Sequence, residues 1–105
     1  MMNEKELYKM HADFCKFMGN EKRIEILFLL GDSELRVEEL ANKMEIRVSN
    51  VSQHLAVMRE KGVVETRREG TKIYYKLTNP KILEACIMMR DIMFSNINKT
   101  LEKFN

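Results

Sequence analysis

Apolar positions along this chain recur first at helical spacing, then at strand spacing, then at helical spacing again. Leu7, Met10, Phe14, Phe17 and Met18 fall three or four residues apart, with Phe17 and Met18 adjacent, and mark one face of a first helix. It is expected to stop at Gly19-Asn20, with Gly19 in a left-handed cap. Asn20 can cap the next helix, with Arg23 standing where a capping box would place Glu. Ile24, Ile26, Leu27, Phe28, Leu29 and Leu30 make this second helix apolar nearly all round at its C-terminal end, as a central core helix requires. Gly31-Asp32-Ser33 ends it.

A short helix follows, with Val37, Leu40, Ala41 and Met44 on one face, and Glu45-Ile46-Arg47-Val48 as a connector. Ser49 reads as the N-cap of a fourth helix that turns Val51, Leu55 and Met58 inward and stops at Gly62. Two short helices joined by a tight connector form a helix-turn-helix. The period then changes to two. Val63 to Arg67 and Ile73 to Leu77 read as paired strands, with Arg68-Glu69-Gly70-Thr71 as the turn and Gly70 supplying a positive φ.

Asn79-Pro80 starts a last helix, with Pro80 in its first turn, and residues 81–104 contain no Gly or Pro. Leu83, Ile87, Phe94, Ile97, Leu101 and Phe104 form a near-heptad seam interrupted at Arg90, beside a second row of Ile82, Cys86, Met89 and Met93. So broad an apolar face on so small a chain predicts one side packed on its own core and the other on a partner.

Composition narrows the picture. With 105 residues, 45% of them apolar, one Pro and four Gly, residues 1–105 are expected to form a single, mainly α domain with a small β-hairpin. No linker, repeat or low-complexity tract interrupts it. The N-terminus is charged from its fourth residue, and the longest apolar run, Ile26 to Leu30, is far too short to span a bilayer. The expectation is a cytoplasmic protein with no membrane partner, whose two cysteines are free thiols.

The net charge of +2 is small, but its distribution is not even. Residues 47–76 hold seven Lys or Arg against three Glu, a net +4, whereas residues 1–46 are net −3. The positive charge coincides with the helix and hairpin just described, where a polyanion would be attracted. The outward face of the fourth helix carries Ser49, Asn50, Ser52, Gln53, Arg59 and Lys61, with His54 beside Gln53 and Arg47 just upstream. Gln or Asn can bond adenine bidentately, and Ser, Lys and Arg hold phosphates. Arg67, Arg68, Thr71 and Lys72 at the hairpin tip can reach the backbone or the minor groove. His54 is open between base contact and helix packing. The competing class is a module of the same shape that binds protein. No Ser-His-Asp set, phosphate loop or Cys-x-x-Cys is present, so no enzyme is expected.

The stretch VSNVSQHLAVMREKGVV and the stretch RREGTKIYYKL resemble the recognition helix and wing of the ArsR/SmtB family of winged-helix metal-sensor repressors. Ser52-Gln53-His54-Leu55 matches the family's Ser-x-His-Leu, and Arg67-Arg68-Glu69-Gly70 its Arg-Arg-x-Gly. The resemblance extends less strictly over residues 20–80. It implies a winged helix-turn-helix, dimeric through its first and last helices, that represses transcription from double-stranded operator DNA and is released by an inducer. It also implies that Ser49, Asn50, Ser52, Gln53 and His54 face the major groove, with Arg67, Arg68 and Lys72 as wing contacts.

The family's sensor sites are not matched. Glu34-Leu35-Arg36-Val37-Glu38-Glu39-Leu40 stands where the family's Glu-Leu-Cys-Val-Cys-Asp-Leu would, and Arg cannot ligate a metal. The last helix keeps Asp91 but has no His. Cys15, with His11 one turn before it, and Cys86 remain. Three readings stay open: small buried packing residues, a reversible disulfide or polysulfide bridge, or, with His11, a site for a soft metal or metalloid ion.

Overall fold

Asn3 opens the first helix by accepting the Glu6 amide at 2.9 Å, while the Glu6 carboxylate accepts the Asn3 amide at 3.2 Å. This reciprocal cap satisfies two amides that would otherwise lack partners. The computed structural model describes residues 1–104. Its elements are α1 (Glu4–Met18), α2 (Glu21–Leu30), α3 (Val37–Met44), α4 (Val48–Glu60), β1 (Val64–Glu69), β2 (Lys72–Leu77) and α5 (Lys81–Glu102). The strands form one antiparallel pair, with Val64 opposite Leu77 and Glu69 opposite Lys72.

Local chemistry accounts for most of the boundaries. Asn20 caps α2 by accepting the Lys22 and Arg23 amides at 3.0 and 3.2 Å. Arg23, unable to close a capping box, donates from Nη1 to the Phe17 carbonyl at 2.9 Å and lies over the Phe17 ring. Gly70 has φ +62 at the two-residue hairpin turn, a value that glycine adopts without strain.

Four boundaries differ from the sequence reading. Gly19 is not left-handed (φ −77): the chain passes directly into extended Asn20, the N-cap of α2, and the Gly19 amide reaches the Cys15 and Lys16 carbonyls. Among the described residues the one non-glycine with a positive φ is Glu45 (φ 57), which ends α3 in the left-handed conformation. That turn closes with the Ile46 amide on the Ala41 carbonyl, so α4 begins at Val48 with Arg47 at the N-cap, and Ser49 lies inside the first turn. The strands reach Glu69 and Lys72, which shortens the turn to Gly70-Thr71. Pro80 occupies the N-cap of α5, and Asn79 Oδ1 accepts the Lys81 amide at 3.0 Å.

The core lies where α2, α3 and α4 meet. Ile26, Leu27, Leu30, Leu40, Val51, Leu55 and Met58 are fully buried there, each worth about 1.5–3 kcal/mol of apolar burial. Val63, Val64 and Leu77 continue that core into the base of the hairpin. The terminal helices stand apart. In α1 only Phe17 and Met18 are buried, and in α5 no residue is. Ile82, Leu83 and Cys86 rest partly on the core, while Ile92, Met93, Phe94, Ile97 and Leu101 are exposed. The radius of gyration, 16.5 Å, exceeds the roughly 13 Å of a compact chain this long, as projecting arms require. No helix among the described residues is long and apolar enough to cross a membrane.

Candidate nucleic-acid interface

The helix-turn-helix geometry follows from the sharp connector. After α3, one left-handed residue and the half-buried Ile46 return the chain so that α4 packs on α3. Val51, Leu55 and Met58 turn inward, and the opposite face is left to solvent. Arg47, Ser49, Asn50, Ser52, Gln53 and Arg59 are all exposed. His54 is only half-buried by comparison. Burial pushes its pKa below the usual histidine value, and the positive charges of Arg23 and Lys22 add to that effect. Partial burial and the nearby charge of Arg23 and Lys22 thus set His54 apart from its exposed neighbours on α4.

Three residues after α4 the chain enters β1, with the Val63 amide donating to the Met58 carbonyl at 2.8 Å. The hairpin and α4 are thus joined rigidly at their bases. At the tip, Arg68, Thr71 and Lys72 are exposed, and among the described residues Arg68 and Lys72 have no ion-pair partner. Thr71, Lys72 and Ile73 also line a groove whose other wall is Arg36, Val37 and Glu38 at the start of α3.

Arg67 is placed differently from its neighbour. Its Nε donates to Glu34 Oε2 at 2.9 Å, its Nη2 to Glu34 Oε1 at 3.2 Å, and its Nη1 to Glu69 Oε2 at 3.0 Å. The guanidinium carbon is 4.8 Å from the Tyr74 ring centroid. These bonds push the Arg67 pKa up and hold the Glu34 carboxyl below the usual carboxylate range. Sequence reasoning missed Glu34 as the partner of Arg67. The two are 33 positions apart, and no local signal joins them.

Both thiols line a groove between the terminal helices. His11, Cys15 and Cys86 line one groove with Phe14, Met18 and Met89. Cys15 is exposed and Cys86 half-buried, and both are free. Burial pushes the Cys86 thiol up, with Arg90 acting in the opposite direction. No three His, Cys, Asp or Glu side chains among the described residues are grouped so as to hold a metal ion. Arg36 and Glu38, at the family's thiolate positions, carry no soft donor. Arg36 instead pairs with Glu39 at 3.3 Å, and its amide is capped by the same carboxylate.

Comparison with known proteins agrees with this geometry. The description "Bacterial regulatory protein, arsR family" matches residues 20–66. The transcriptional activator HlyU of Vibrio cholerae is 40% identical over 101 residues, which is 93% of this chain and 93% of that protein. The crystal structure of Rv0081 from Mycobacterium tuberculosis superposes with a TM-score of 0.83 at 34% identity, over 90% of this chain and 96% of that one. A homodimeric winged helix-turn-helix DNA-binding domain of Mb0332 from Mycobacterium bovis gives 0.79 at 25% identity, over 93% of each chain. With its three-helix core, its hairpin wing and these relatives, the chain belongs to the arsR family of bacterial regulatory proteins, as a winged-helix transcriptional regulator.

Proposed function

We propose that two copies of this chain join through α1 and α5 and bind double-stranded operator DNA as a repressor in the cytoplasm. The exposed polar face of α4, followed directly by a basic wing tip, carries the proposal. Ser49, Asn50, Ser52 and Gln53 read base edges near the N-terminus of α4, and Arg47, Arg59, Arg68, Thr71 and Lys72 hold phosphates. The dimer follows from the exposed apolar rows of α1 and α5, which a lone chain leaves in water. The homodimeric Mycobacterium bovis domain supports an assembly of two copies.

Release is assigned to the thiols. Cys15 and Cys86 share one groove at the helices that join the copies, so their oxidation to a disulfide by a peroxide or polysulfide would alter that junction. A soft metal or metalloid is the second inducer class, with ligands that the described residues of one chain alone do not group.

The test is DNA binding to the region upstream of the protein's own gene, at stated salt, with reduced, oxidised and Cys86→Ser protein, with and without arsenite, Cd(II) and Zn(II). Tight binding by reduced protein and release on oxidation support the full proposal. Binding that is indifferent to every treatment removes the thiol sensor. Failure to bind any DNA favours the protein-binding module. Because HlyU is named an activator, transcription from the bound promoter is measured with and without the protein, and repression is expected. Gln53→Ala is expected to relax base preference, the loss a base contact carries.

A further inference from the structure

We infer that Arg67 serves DNA binding as a positioning residue that straps the wing to the loop before α3, leaving Arg68 and Lys72 to meet phosphate. The inference rests on the DNA-binding reading above.

The strap follows from the sheet geometry. Register places Arg67 on β1 opposite Tyr74 on β2. The Tyr75 amide and carbonyl both bond Leu35, at 2.8 and 3.0 Å, so Leu35 lies along the edge of β2 away from β1. To reach Glu34, the Arg67 side chain therefore crosses the face of Tyr74 and spans the full width of the hairpin. It ties β1, across β2, to the loop that begins the helix-turn-helix. The hairpin's backbone tie to that loop is the Leu35–Tyr75 pair.

Isolated surface ion pairs contribute little. This one is bidentate, shared with Glu69 and stacked on an aromatic ring, and it fixes direction as well as adding energy. The same arrangement makes Arg67 a poor phosphate ligand. All three of its guanidinium nitrogens are engaged, and two carboxylates stand where a phosphate would approach.

The experiment measures DNA affinity against salt for the full chain and for Arg68→Ala, Lys72→Ala, Arg67→Ala, Glu34→Gln and the Arg67→Ala/Glu34→Gln double variant. Amide hydrogen exchange of the same free proteins is followed at Leu35 and residues 64–77. Arg68→Ala and Lys72→Ala are expected each to reduce the slope of log K against log salt by about 1. Arg67→Ala and Glu34→Gln are expected to weaken binding by about three- to tenfold with the slope unchanged, the double variant being no worse than either single one. Exchange at Leu35 and Tyr75 should quicken in both. A reduced slope in Arg67→Ala, or tighter binding by Glu34→Gln through a freed cation, overturns the inference while leaving the DNA-binding reading intact. If the parent binds no DNA, that reading falls, and the exchange measurement still decides the strap: unchanged exchange refutes it.

Discussion

The Arg90 guanidinium carbon lies 3.9 Å from the ring centroid of Phe28, joining α5 to α2. In the sequence Arg90 merely interrupts an apolar seam. In the structure it is one of few anchors of a helix that otherwise rests on the core through Ile82, Leu83 and Cys86. Arg90→Ala is expected to lower stability by about 0.5–1 kcal/mol, with Phe28→Leu losing a similar amount. Urea unfolding of both single variants and the double variant checks this, and strictly additive losses would show the contact to be inert.

Leu55 is fully buried on the inner face of α4. Leu55→Ala is expected to cost about 2–5 kcal/mol, a large part of the stability of a domain this size. The measurement is the denaturation midpoint at unchanged m-value. A loss under about 1 kcal/mol would contradict the packing of α4 on the core.

Asn20→Ala removes the acceptor of two amides at the start of α2 and should cost about 1 kcal/mol. Asn20→Asp retains that acceptor. Equal thermal melting of Asn20→Ala and the parent would show that the cap contributes nothing.

Met93 and Ile97 lie on the exposed apolar side of α5. Ile97→Lys places a charge where the second copy is proposed to sit, and burial of an unpaired charge is strongly unfavourable. Sedimentation should show a dimeric parent and a monomeric variant, and the variant should lose operator binding. A variant that stays dimeric places the junction elsewhere.

His54 makes stability depend on pH in a definite direction. Its folded pKa lies below the ordinary 6.5, so the unfolded chain takes up the proton first as pH falls. The His54 contribution is complete above about 6.5 and is lost progressively below it, until the folded pKa is passed. Unfolding free energy measured between pH 7 and pH 5 should therefore fall more steeply for the parent than for His54→Gln. A parallel pair of curves would place His54 in open solvent.

Helices and strands were legible in the sequence because their signals are local. The period of Leu7, Met10 and Phe14, the crowded apolar run of α2 and the β-branched and aromatic residues of β2 each report on neighbours within a few positions. The polar face of α4 was equally legible, since its inward residues repeat at helical spacing. Boundaries were less so. Ser49 is a good capping residue, but backbone bonds around Glu45 and Ile46 started α4 before it. Hydrogen bonds made by the backbone of one turn outweighed the preference of one side chain.

The sequence by itself determined the order of elements, the concentration of positive charge on the helix and hairpin, and the apolar excess of the terminal helices. Each is a property of residue types and short spacings. Only the tertiary structure decided which of two adjacent arginines is free, that His54 is partly buried while its neighbours are exposed, and that Cys15, Cys86 and His11 share one groove. Those facts depend on contacts between residues tens of positions apart, and side-chain chemistry alone cannot choose among the partners that folding brings within reach.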